Sequence, residues 1–119
     1  MVAHEEKANN PNDFESLTAS QKEILLDWCD LIGKISTINK KHSSYGLKHI
    51  FEKSKNGFYV TNGMFKGAML KLGYEHELCH PTSPNWYFNI SEKGIKFLIH
   101  LNELNKNIGD TKTELNKNI

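Results

Sequence analysis

His76, Cys79 and His80, with His49 as a more distant fourth, are the residues whose types most suggest chemistry, because imidazole and thiolate are the common protein ligands of zinc. The spacing argues against a site. His76-x-x-Cys79-His80 has no second ligand pair, and the adjacent Cys79 and His80 cannot easily face one tetrahedral ion. Thr61-Asn62-Gly63-Met64-Phe65-Lys66-Gly67 carries glycines four apart but lacks the Lys-Ser/Thr that completes a phosphate-binding loop. Those glycines suit close approach, Gly63 at the start of a helix and Gly67 at a helix crossing or against a nucleic-acid backbone. No nucleophile elbow, His-Glu-x-x-His motif or paired-carboxylate constellation occurs. The expectation is a protein that is not an enzyme and uses no metal or cofactor.

Contact with phosphate is the chemistry that remains. The formal charge is only +1, yet it is unevenly spread. Residues 1–33 hold seven acids against two lysines, a net of −5. Residues 34–71 hold Lys34, Lys40, Lys41, Lys48, Lys53, Lys55, Lys66 and Lys71 against Glu52 alone, a net of +7. Clustering of this kind is the electrostatic footprint of a phosphate-binding surface. All 15 basic residues are lysine and none is arginine. Point charges of this type hold a phosphate backbone better than they read guanine through paired hydrogen bonds.

The elements that must position these lysines follow from periodicity. With 119 residues and 38% hydrophobic content, the chain can bury one modest core. Residues 1–17 show no sustained period and read as a flexible N-terminal arm, mobile or loosely docked. Thr18-Ala19-Ser20-Gln21 offers a capping box, and Ile24, Leu25, Trp28, Leu31 and Ile32 form the stripe of a first helix. Gly33 to Lys41 reads as a frayed continuation of that helix or as a connection. A second helix opens at Ser43-Ser44, with Tyr45 or Leu47, Ile50 and Phe51 spaced to share one buried face. A turn and a short strand, Phe58-Tyr59-Val60, follow it. A third helix runs from Thr61 to Gly73 with Phe65, Ala68, Met69 and Leu72 inward. Tyr74 to Leu78 and Trp86 to Ile90 then form a hairpin around a proline-containing loop, with Trp86, Phe88 and Ile90 on one face. Ser91 caps a last helix, which continues to about Asn105. Beyond it, Glu103-Leu104-Asn105-Lys106-Asn107-Ile108 recurs as Glu114-Leu115-Asn116-Lys117-Asn118-Ile119. Residues 105–119 therefore read as a disordered tail or as a helix formed only with a partner.

This order over residues 18–104 resembles the winged helix-turn-helix superfamily. Ser43-Ser44-Tyr45-Gly46-Leu47-Lys48-His49, Gly57-Phe58-Tyr59-Val60-Thr61-Asn62-Gly63 and Asn85-Trp86-x-Phe88-Asn89-Ile90-Ser91 are similar to small proteins of bacterial phages and mobile elements. The resemblance implies a mainly α, α+β fold of four helices plus a two- to three-stranded wing sheet, with a recognition helix at Thr61 to Leu72. Nucleic-acid contacts would then fall on Ser43, Ser44, Lys48, Lys53, Lys55, Thr61, Asn62, Gly63, Lys66 and Lys71. The expected function is that of an accessory or regulatory protein binding duplex or single-stranded DNA. The alternative is a protein-binding module that inhibits or assists a nuclease, polymerase or helicase. No stretch reaches the roughly 20 apolar residues that cross a bilayer, and Met1 to Asn12 is unlike a signal peptide. A cytoplasmic monomer or homodimer with reduced Cys29 and Cys79 is expected.

Overall fold

The computed structural model describes residues 8–117, with side chains over residues 8–106. The fold is mixed α+β. Asn10 caps a 3₁₀ helix over Pro11–Ser16, its side-chain oxygen accepting from the Asn12 amide, and Pro11 takes the first position, where no amide is needed. Helix α1 spans Ala19–Ile32 and begins at the expected capping box, with the Gln21 amide donating to Thr18 Oγ1 and the Thr18 amide donating to Gln21 Oε1. Gly33, at φ 85°, turns the chain directly into strand β1, Lys34–Asn39.

Helix α2 covers Ser44–Glu52 and helix α3 covers Asn62–Lys71, capped by Ser43 and Thr61. Strands β2, His76–Leu78, and β3, Trp86–Ile90, form an antiparallel hairpin with Glu77 opposite Tyr87. Strand β1 pairs antiparallel with the other edge of β3, so the sheet order is β1-β3-β2. Helix α4 begins at Glu92 and continues to Lys117. The core lies between the helices and one sheet face. Leu25, Leu47, Phe51, Phe65, Met69, Phe88, Ile90 and Ile95 are fully buried there, and Trp28 packs edge-on against Phe51 and Phe65 at 5.5 and 6.3 Å.

Four expectations change. The segment after Gly33 is a strand, not a frayed helix: its β-branched residues suit a pleat, and the bonds that hold it go to β3, about fifty residues later. Phe58-Tyr59-Val60 is not a strand. The Val60 amide donates to Glu52 Oε2 at 3.1 Å, which satisfies it without a ladder. Residues 8–17, read as part of an arm, pack on α3 with Phe14 only 2% exposed and Leu17 buried. Residues 1–7 of that arm lie outside the described residues. Finally, α4 carries on through the first ELNKNI copy instead of stopping near Asn105, while Asn118 and Ile119 of the second copy lie outside the described residues. Among the described residues, no helix is long and apolar enough to cross a membrane.

Candidate nucleic-acid interface

In a recognition helix, Asn62, Gly63, Lys66, Leu70 and Lys71 of α3 would lie opposite its apolar stripe and face outward. Three of the five are instead enclosed. The face bearing Gly63 and Gly67 is covered by the N-terminal segment: a Cβ on Gly63 would overlap the Asn10 carbonyl oxygen, and one on Gly67 would overlap that of Pro11. The close approach read from these glycines is therefore to the chain's own backbone. Asn62, 6% exposed, donates to Asn9 Oδ1, Pro84 O and Asn85 Oδ1, which ties α3 to both the N-terminal segment and the β2–β3 loop. Lys66, 4% exposed, donates to Pro84 O at 2.8 Å with its ammonium 4.5 Å from the centre of the Trp86 ring. Burial lowers the Lys66 pKa, and among the described residues no carboxylate pairs with it. Leu70 and Lys71 alone of the five stay exposed, Lys71 lying 3.8 Å from Glu15.

The other predicted contacts divide in the same way. Ser44 is fully buried and accepts from the Trp86 amide at 3.0 Å, which joins the start of α2 to β3. Ser43 and Thr61 spend their hydroxyls on the Gly46 and Met64 amides as helix caps. Lys48 is 6% exposed, its charge held by Glu52 at 3.3 Å. Lys53 and Lys55 are exposed at the end of α2 and in the following loop. The metal-ligand types do not converge. His76 stacks on Trp86 at 3.8 Å, His80 Nδ1 lies 3.0 Å from Thr82 Oγ1, and no group of three His, Cys, Asp or Glu gathers among the described residues. Burial, aided by the Lys66 charge, lowers the His76 pKa.

The structure does assemble an exposed aromatic surface that the sequence reading did not single out. On the outer face of α2, Tyr45, His49 and Lys53 follow one another four residues apart. The His49 ring meets Tyr45 edge-on at 4.5 Å, and its Nδ1 lies 3.0 Å from Glu52 Oε1. Tyr59 reaches in from the α2–α3 loop, so the Lys48 ammonium sits 5.3 Å from the Tyr45 ring and 5.4 Å from the Tyr59 ring. Tyr45 is 53% exposed and Tyr59 75% exposed. Lys48 is spent on Glu52, but two rings presented to water, with the exposed Lys53 one turn along, can stack flat π-systems and place an anion beside that cation. The sequence signal that was available is the density of aromatics within the +7 segment. Comparison with known proteins returned no matching family model, no similar curated protein and no similar solved structure.

Proposed function

We propose that the chain is a winged helix-turn-helix protein that binds single-stranded nucleic acid through the Tyr45, His49, Lys53 and Tyr59 face of α2, serving as an accessory or regulatory factor of a bacterial mobile element. The winged-helix reading draws support from the order α1, β1, α2, α3, β2, β3 and the sheet order β1-β3-β2. The observation that carries the function is the pair of exposed tyrosine rings flanking Lys48. A single strand is favoured over a duplex because α3 has its wing-side and N-terminal faces filled by the protein itself, leaving no bare helix for a major groove. Unpaired bases need only ring faces and nearby cations.

The test is fluorescence anisotropy of a labelled oligonucleotide at two salt concentrations. Single strands should bind more tightly than duplex, affinity should fall with salt, and Tyr59→Ala should cost about 1–3 kcal/mol of binding. Absence of binding to any oligonucleotide at low salt overturns the proposal. A protein-binding module acting on a nuclease, polymerase or helicase is the second reading, favoured by the 75% exposure of Tyr59. Its signature is a partner whose affinity ignores salt and still needs Tyr59.

A further inference from the structure

The sequence contains two Asn-Gly pairs, Asn56-Gly57 and Asn62-Gly63. In such a pair the glycine, having no side chain, leaves its backbone nitrogen open to the carbonyl carbon of the asparagine side chain. The fold sets the two pairs in opposite surroundings. Asn62 is 6% exposed, its side-chain nitrogen donates to Asn9 Oδ1, Pro84 O and Asn85 Oδ1, and Gly63 lies under the Asn10 backbone in the first turn of α3. Asn56 is exposed in the turn that leaves α2, and among the described residues no hydrogen bond holds its side chain. One bond closes this turn, from the Gly57 amide to Ser54 O at 3.0 Å, with Asn56 at the third position. A single turn bond in a surface loop opens far more readily than the start of a packed helix.

We infer that Asn56 is a site of spontaneous deamidation, that the fold protects Asn62 from the same reaction, and that the product weakens the α2 face. The Gly57 nitrogen loses its proton to solvent base and bonds to Asn56 Cγ, and the side-chain nitrogen departs as ammonia, leaving a succinimide ring. Water then opens either ring carbonyl, giving aspartate or isoaspartate. Nothing is oxidised or reduced. The new carboxylate stands next to Lys55 in the loop that joins Lys53 to Tyr59. In the isoaspartate the main chain also lengthens by the side-chain carbon. Gly57 has no room to absorb that change, since a Cβ there would already overlap the Phe51 carbonyl oxygen, so the displacement passes on to Phe58 and Tyr59. The effect on binding rests on the α2 face being the nucleic-acid surface, whereas the modification itself does not.

Mass spectrometry of the full-length chain, incubated in mildly alkaline buffer, tests the reaction. Cleavage after lysine releases both pairs in one peptide, residues 56–66, so fragment ions must assign the gain in mass. In the folded chain Asn56 should react at least about tenfold faster than Asn62, and in urea the two rates should come within about threefold of each other. Equal rates in the folded chain, or a faster Asn62, overturn the inference. So does a folded chain in which neither reacts while the unfolded chain reacts at both. In oligonucleotide anisotropy, Asn56→Asp should weaken binding about threefold and Asn56→Gln should leave it unchanged. An Asn56→Asp chain that binds like the parent overturns the effect on the α2 face. A parent chain that binds no oligonucleotide defeats the reading of that face and leaves the mass-spectrometric result to decide the modification.

Discussion

Gly67→Ala separates two descriptions of α3 by the sign of its effect. On a helix face open to solvent, replacing a mid-helix glycine by alanine stabilises by about 1 kcal/mol, because alanine loses less backbone entropy on folding. In this fold the new Cβ would overlap the Pro11 carbonyl oxygen and press on Phe14, so the 3₁₀ helix must lift. Phe14 is 2% exposed, and fully burying such a side chain contributes roughly 1.5–3 kcal/mol. Losing part of that and gaining helix propensity leaves a net destabilisation of about 1–2 kcal/mol. Urea unfolding monitored by circular dichroism reads this as a midpoint about 1 M lower, for a slope usual in small domains. Gly46→Ala is the internal control. Its Cβ meets Ser43 Oγ at an ordinary 3.7 Å, so that variant should be stabilised. In a Phe14→Ala background the penalty of Gly67→Ala should shrink, since the two act on one contact. A Gly67→Ala protein more stable than the parent would refute the packing of the N-terminal segment on α3.

Glu52 accepts from the Val60 amide and pairs with Lys48 and His49, so Glu52→Gln leaves the buried Lys48 without its counter-charge; a loss of about 3 kcal/mol in urea titration is expected. Tyr74 donates its hydroxyl to Cys29 O at 2.7 Å, and burial pushes its pKa up to about 12. Its ionisation is disfavoured in the folded state, so the stability it gives is full below pH 10 and falls as pH rises from there to about 12. Tyr74→Phe should remove that slope from urea midpoints measured across the alkaline range. Glu92 is held below the usual carboxylate range by hydrogen bonds from the Asn39 amide and His42. A depressed folded pKa gives stability that is present above 4.5 and lost on acidification below it. The gap in melting temperature between Asn39→Ala and the parent should narrow as pH falls through that range, leaving the part that comes from the Asn39 bonds to Ile90 O and the Lys41 amide.

Local signals were readable where partners lie close in sequence. The Thr18–Gln21 capping box, the Ser43 and Thr61 caps, and the placing of Phe88 and Ile90 in the core each depend on residues within a turn or a strand. What stayed hidden depends on distant partners. Strand β1 is pinned by Ile90 and by Asn39, whose side chain donates to Ile90 O and Glu92 Oε1. Gly63 and Gly67 announce a close approach, but glycine spacing does not say which backbone arrives, and here it is that of residues 10–11. Lys48 and Lys66 look like surface charges because lysine is seldom buried. Their aliphatic stems can lie along ring faces, and one ammonium is satisfied by Glu52, the other by a carbonyl and the Trp86 ring. Tyr59 sits in an apolar run, Phe58-Tyr59-Val60, whose composition suits a strand and hides its place in an exposed loop.

The most direct test of the proposed nucleic-acid face is a backbone amide chemical-shift titration of the labelled chain with a short single-stranded oligonucleotide. The largest changes should fall on Tyr45, Gly46, His49, Lys53 and Tyr59, while Gly63, Lys66 and Gly67 inside the protein stay nearly still. Changes concentrated on α3 and the β2–β3 loop, with the α2 face unmoved, would contradict the proposal.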